Sequence, residues 1–286
     1  MRVHVETLAG KIGERNVWRP RALAAAADYI ANMWDTQGYE VARYDYPAHG
    51  TTSANLEIRC AAHTADGGIM IVGAHYDSVP GSPGANDNAS GVAVMLELSR
   101  HFARKQLAQE LRFVAFVNEE PPFFKTDTMG SRVYVKMARA RGDDIRAMFC
   151  LETVGFYSDV PGSQHYPPLF NLFYPDTGNF IGFVANLHSR ALLRRTVSAF
   201  RAASDFPVEH TATLGFVPGV DWSDHWSFWR EGIPAIMITD TAPYRYPHYH
   251  TPRDTPEKID YPRLARLARG LAGALEILAD SCRFAT

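Results

Sequence analysis

The chain has 286 residues, 46% hydrophobic and 21% charged, a balance that suits a soluble globular protein able to bury a substantial core in one α/β domain. Its 29 basic and 31 acidic residues leave a formal charge of −2, which argues against a nucleic-acid binder or a membrane-surface binder. No apolar run approaches the length needed to span a bilayer.

The start, Met1-Arg2-Val3-His4-Val5-Glu6, lacks the apolar core of a signal peptide, so the sequence as it stands reads as cytoplasmic. A secreted or periplasmic chain whose leader had been removed would read the same way. The three cysteines, Cys60, Cys150 and Cys282, form neither an even set nor a CxxC pair and read as idle thiols.

Pro20 to Asp35 is Ala-rich and amphipathic, which predicts a helix; residues 38 to 46 and 54 to 60 read as strands. Gly68 to Ala74 is a short apolar run bounded by glycines and suits a buried strand. The Gly/Pro/Ser/Asn-rich stretch Ser78 to Gly91 is a loop, and Val92 to Arg104 a helix that Ser90 would cap. Leu111 to Val117 and 145 to 151 are strands around a helix at 131 to 140. Helices are expected at 189 to 203, 222 to 230 and 264 to 279, with a strand from Ile233 to Thr239. Alternating strands and helices, with no repeat and no linker, predict one domain over residues 1–286: a largely parallel or mixed sheet covered on both faces.

In such sheets ligands bind beyond the carboxyl ends of the strands. His75 and Asp77, Glu119 and Glu120, Glu152, and His250 each follow one of four separate strands. Each group has an ordinary explanation: a surface turn, solvated acids, a salt bridge or a loop histidine. The chemical explanation takes them together. His75 is a metal ligand whose second nitrogen Asp77 holds. Asp87, in the loop Gly84-Ala85-Asn86-Asp87-Asn88-Ala89-Ser90-Gly91, bridges two metals, with flanking glycines that let the backbone come close. Adjacent side chains on extended backbone diverge, so the Glu119-Glu120 pair divides into a metal ligand and a general base. Two His and three carboxylates make an N/O donor set suited to zinc and tolerant of cobalt or manganese.

These residues also carry a resemblance. Ala74-His75-Tyr76-Asp77-Ser78, Gly84 to Gly91, Asn118-Glu119-Glu120 with Met129-Gly130-Ser131, Ser223-Asp224-His225, and His250-Thr251 with Asp254 stand in one order across residues 70 to 260. In that order they resemble metallopeptidase family 28, the co-catalytic zinc aminopeptidases, a group that includes glutaminyl cyclases. The resemblance implies a mixed eight-stranded sheet between helices. It implies His75 on one zinc and His250 on the other, Asp87 on both, Glu120 sharing one position with a His, and Glu152 completing the other. Glu119 would be the general base, Asp77 would orient His75, and Tyr249 would donate a hydrogen bond to the substrate carbonyl. The Asp87-Asn88 peptide would be cis.

The chain departs from the pattern at three places. Glu152 stands where many members have Asp, and Asn118 where a Gly usually precedes the Glu pair. Pro121 to Met129 forms an enlarged loop. With that loop, Phe123, Phe124, Phe156 and Tyr157 are expected to line an apolar pocket for the N-terminal side chain of a peptide or small amide. Three functions are weighed: a two-zinc aminopeptidase first, a single-zinc glutaminyl cyclase second, and a non-catalytic binding module third. The sequence is silent on oligomeric state.

Overall fold

A computed structural model of the chain describes residues 1–62 and 68–280, so Cys282 lies outside the described residues. The apolar runs build eight strands: β1 (Ala42–Ala48), β2 (Thr51–Cys60), β3 (Ile69–His75), β4 (Glu110–Phe116), β5 (Ile145–Glu152), β6 (Ile181–Asn186), β7 (Val208–Thr213) and β8 (Ala235–Thr239). They form one mixed sheet in the order β1-β2-β4-β3-β5-β8-β6-β7. The centre, β4-β3-β5-β8, is parallel, and β6 pairs β7 in parallel. The pairings β1–β2, β2–β4 and β6–β8 are antiparallel. β3 is buried along its whole length, as expected for a central strand covered on both faces.

Two strands escape the sequence reading. β6 follows a long irregular stretch. β7 (Val208-Glu209-His210-Thr211-Ala212-Thr213) is a half-buried edge strand, so it has neither an apolar run nor a clean alternation.

The helices α1 (Arg2–Val5), α2 (Pro20–Thr36), α3 (Gly91–Phe102), α4 (Gly130–Ala140), α5 (Arg190–Ala203), α6 (His225–Trp229), α7 (Ala242–Arg245) and α8 (Tyr261–Asp280) cover the two faces. Pro20 starts α2 where its missing N–H costs nothing, and Leu23, Ala26, Ala27, Ile30 and Trp34 form the stripe it buries. Phe149, Leu151, Phe183 and Ile238 point to the side packed by α3, α5 and α8. Met148 and Cys150 point to the opposite side, with Tyr134 of α4 and Phe228 of α6. The expected helix from Trp222 forms only from His225. Ser90 does not cap α3: its hydroxyl donates to Asn86 O (2.7 Å) and accepts from Val154 N (3.0 Å), tying the loop before α3 to the end of β5. The Asp87-Asn88 peptide is cis, as is Pro121-Pro122.

Candidate metal centre

The five donor residues converge at the carboxyl edge of β3, β4 and β5. His75 and Glu152 are the last residues of β3 and β5. Glu119 and Glu120 follow β4 after Asn118, whose positive φ of 57° turns the chain. Asn accepts this left-handed conformation better than most side chains, which explains how it stands in a glycine position. Its amide donates to Ser53 Oγ (2.8 Å) and Tyr46 OH (3.1 Å). His250 also has a positive φ, of 56°, and its ring stacks on Tyr249 at 3.8 Å.

The donors form two groups that share Asp87. His75, Asp87 and Glu152 make one; Asp87, Glu120 and His250 make the other. His75 Nε2 lies 3.2 Å from Asp87 Oδ1 and 3.2 Å from Glu152 Oε2. His250 Nε2 lies 3.0 Å from Asp87 Oδ2 and 3.3 Å from Glu120 Oε2. The two carboxylate oxygens of Asp87 therefore face different histidines.

Neighbours fix these side chains. Asp77 Oδ1 stands 3.4 Å from His75 Nδ1, and the two Asp77 oxygens accept the backbone N–H groups of Glu119 and Glu120, both at 3.2 Å. Ser223 Oγ donates to Glu152 Oε2 at 2.6 Å, and Val79 N donates to Glu120 Oε1 at 3.1 Å. Asp254 accepts from Asn86 N (2.8 Å), Asp87 N (3.1 Å) and Tyr246 OH (2.8 Å). The fully buried Arg15 donates to the carbonyls of Tyr76 (2.6 Å), Pro83 (2.5 Å) and Gly84 (2.8 Å), joining both ends of the loop that carries Asp87. A Cβ on Gly84 would meet Asp87 O at 2.4 Å, and one on Gly91 would meet Asn88 Oδ1 at 2.4 Å. These glycines thus let the loop fold against its own backbone and side chains.

Charge in this cluster is unbalanced. Burial, with Asp87 nearby, pushes Glu120 up to about 7. Burial also raises Asp224 to about 7 and holds Glu119 well above the usual carboxylate range, with Glu152 and Glu120 adding repulsion. Burial alone would lower His75, but Glu152 and the other acids outweigh it and hold the imidazole well above its ordinary value. Such a set favours a cation.

The residues fit a metal. His75 Nε2, Asp87 Oδ1 and His250 Nε2 are buried with no hydrogen-bond partner among the described residues, and a buried polar atom left unpaired is costly. The histidine-to-carboxylate distances of 3.0 to 3.3 Å exceed the ~2.7–2.9 Å of charge-assisted hydrogen bonds. They match the roughly 3.3 Å that separates donors bound tetrahedrally at ~2.0–2.1 Å.

An open cleft of about 820 Å³ begins at Glu152 and Tyr249 and runs under the segments 164–174, 218–222 and 241–244. None of the four aromatics expected to line it does so. Phe123 packs edge-on against His49 and Phe124 lies under Lys125, which pairs with Asp221 at 2.5 Å. Phe156 packs on Tyr246 and Tyr157 on Phe206. No residue of the enlarged loop lines the cleft, and aromatic residues between β5 and β6, beyond the reach of simple motif spacing, do so instead. Sequence reasoning also passed over Arg15, Asn86 and Asp240. Asn86 Nδ2 donates to the buried Asp240 at 2.9 Å, and its Oδ1 accepts from Gly155 N at 2.8 Å. His225 of the Ser223-Asp224-His225 motif lies outside the cluster and bonds Val220 O at 2.8 Å.

The eight-stranded mixed sheet carries, at its carboxyl edge, two donor groups that share one carboxylate, which marks an α/β protein with a candidate metal centre. The profile of peptidase family M28 matches residues 57–275, and the chain belongs to that family. YfbL of Escherichia coli (strain K12) is 39% identical over 258 residues, covering 87% of this chain and 78% of that protein. A probable leucine aminopeptidase of Arthroderma otae is 26% identical over 225 residues, 73% of this chain, and the chain spans about half (53%) of that relative's length. Two solved structures share the fold. The zinc aminopeptidase BSAP from Bacillus subtilis has a TM-score of 0.74 at 17% identity, with 98% of this chain and 94% of that one covered. A glutaminyl cyclase from Fimbriiglobus ruber has a TM-score of 0.69 at 20% identity, with 96% and 93% covered. Among the described residues no helix is long and apolar enough to cross a membrane.

Proposed function

We propose that this chain is a zinc-dependent aminopeptidase with two metal positions that share Asp87. One observation carries the proposal: two complete donor groups, His75-Asp87-Glu152 and Asp87-Glu120-His250, meet at a single carboxylate. A pair of bound ions would supply Lewis acidity to an attacking water and to the scissile carbonyl. Glu119 lies beside the cluster, its Oε2 4.0 Å from His75 Nε2, and reaches the surface of the site. Its raised proton affinity suits a base that takes a proton from water and returns it to the leaving amine. The Tyr249 hydroxyl has no hydrogen bond within the described residues; burial and the surrounding acids keep it protonated, so it is free to donate to the developing oxyanion. Asp77 orients His75 and fixes the backbone of both glutamates.

A single-metal cyclase is the second reading, favoured by the cyclase fold neighbour and the aromatic cleft. One experiment separates the two. Peptides with free N-termini, one of them beginning with Gln, are followed by mass spectrometry. Release of the first residue with water uptake supports the peptidase; loss of ammonia from the Gln peptide without hydrolysis contradicts it.

A further inference from the structure

The floor of the cleft is one face of the sheet, and the register shows how it runs. Glu152 is level with Thr239, Thr239 with Gly182, and Gly182 with Glu209. These four residues of β5, β8, β6 and β7 form a row across the sheet. Residues level in neighbouring strands share a face, so the Glu209 side chain stands on the same side as that of Glu152. Phe183, one residue along from Gly182, points to the other side, where it meets Phe200 of α5. Three strand spacings place Glu209 ~14 Å from Glu152. Between the two acids the row holds only Thr239 and Gly182, with the Thr241 methyl near the glycine, so no bulky side chain separates its ends.

Above this floor the walls are aromatic. Tyr166, Phe170 and Tyr174 line the cleft, with ring centroids 5.8 Å apart for Tyr166–Tyr174 and 6.0 Å for Phe170–Tyr174. Tyr174 OH donates to His210 O on β7 (3.1 Å), and Tyr244 OH donates to Pro218 O (3.1 Å), so both walls are tied down. Glu209 has no hydrogen-bond or ion-pair partner among the described residues, and no Lys or Arg lines the cleft. An uncompensated carboxylate framed by aromatic faces recognises a cation carried on an apolar stem.

We propose that Glu209 sets specificity for an N-terminal Arg or Lys. The α-amine and scissile bond lie at the Glu152 end, the stem crosses the aromatic floor over Gly182, and the charged head meets Glu209. Leu is too short to reach the far end, whereas the four-carbon stem of Lys and the guanidinium fork of Arg extend toward it. This proposal rests on the aminopeptidase reading of the site.

The test compares kcat/KM for Arg, Lys, norleucine and Leu 4-nitroanilides with the wild-type enzyme and with Glu209→Gln. Norleucine keeps the stem of Lys without its charge. The expected result is that wild type favours Arg and Lys over norleucine by roughly 10-fold or more, and that Glu209→Gln removes this margin while Leu changes less than about twofold. Norleucine equal to or better than Lys in the wild type, or a margin unchanged by Glu209→Gln, overturns the proposal. Calorimetric binding of argininamide and norleucinamide to the same two proteins gives a readout independent of hydrolysis. Argininamide preference lost in Glu209→Gln supports the pocket assignment even if no substrate is cleaved, an outcome that would count against the aminopeptidase reading alone. Equal binding of the two amides by wild type overturns it.

Discussion

Asp254 accepts the backbone N–H of Asp87 at 3.1 Å, and so a carboxylate 167 residues further along the chain fixes the one residue common to both donor groups. Its other oxygen takes Asn86 N and Tyr246 OH, so the Asp87 loop is held from outside the metal centre. Arg15 holds the same loop from the opposite direction, through carbonyls instead of N–H groups.

Replacing Asp254 by Asn puts an amide donor against donors it must accept from. The Asp87 carboxylate then loses its fixed aim. Residues that orient metal ligands typically contribute 10–100-fold to affinity. Asp254→Asn is therefore expected to weaken zinc binding by about that factor at both positions, as read by competition with a chromogenic chelator. Unchanged affinity would mean that Asp254 serves only the loop's stability.

Glu119→Gln keeps the shape of the side chain and removes its ability to take a proton. The expected outcome is a fall in turnover of about 10² to 10⁴ with the metal content of the wild type. Near-normal turnover with full metal content would transfer the base role elsewhere.

Arg15 is buried and satisfies three carbonyls of the Tyr76–Gly84 segment, although it precedes the residues matched by the family profile. Arg15→Met removes all three donors; Gly84 O still accepts from Ala89 N (3.1 Å), while the carbonyls of Tyr76 and Pro83 lose theirs, at a cost of about 1–3 kcal/mol for each buried group left unpaired. Thermal denaturation of the metal-free protein should show a drop in Tm of several degrees or more. Arg15→Lys, which keeps the charge but not the fork, should recover only part of it.

Acid sensitivity has an identifiable contributor away from the ligands. Burial lowers His225 from 6.5 to about 4, with Val220 O opposing and Lys125 adding to the effect. Between those two values the unfolded chain binds a proton that the folded chain does not, so folding stability from this group is present above pH 6.5 and is lost as pH falls toward 4. The full effect is on the order of 3 kcal/mol. The difference in Tm between wild type and His225→Gln, measured from pH 7.5 to 4.5, isolates it from the carboxylates of opposite sign. Wild type should lose its relative advantage as the pH drops; a constant difference would contradict the assignment.

The sequence made the chemistry legible where spacing and strand ends coincide. His75, Glu120 and Glu152 stand at or just after the apolar runs of β3, β4 and β5, so strand prediction alone put them on one edge. His250 and Asp87 lie in loops: the flanking glycines suggested the bridging role of Asp87 and the preceding strand brought His250 to the same edge, while the resemblance alone assigned each histidine its own metal. The pocket was not legible in the same way. Phe123 and Phe156 are close to ligands in sequence, but their packing against His49 and Tyr246 turns them away from the cleft. Glu209 lies on an edge strand with no hydrophobic signal, and its relation to Glu152 exists only through the register of four strands. Arg15 acts through backbone carbonyls, which leave no mark in a residue pattern.

The central claim is that two metal positions share Asp87, and metal stoichiometry tests it most directly. Purified protein equilibrated with zinc and analysed by inductively coupled plasma mass spectrometry should hold two ions per chain. His250→Ala should hold one, and Asp87→Ala should lose both. One ion in the wild type, or two retained by a folded Asp87→Ala variant, would contradict the account.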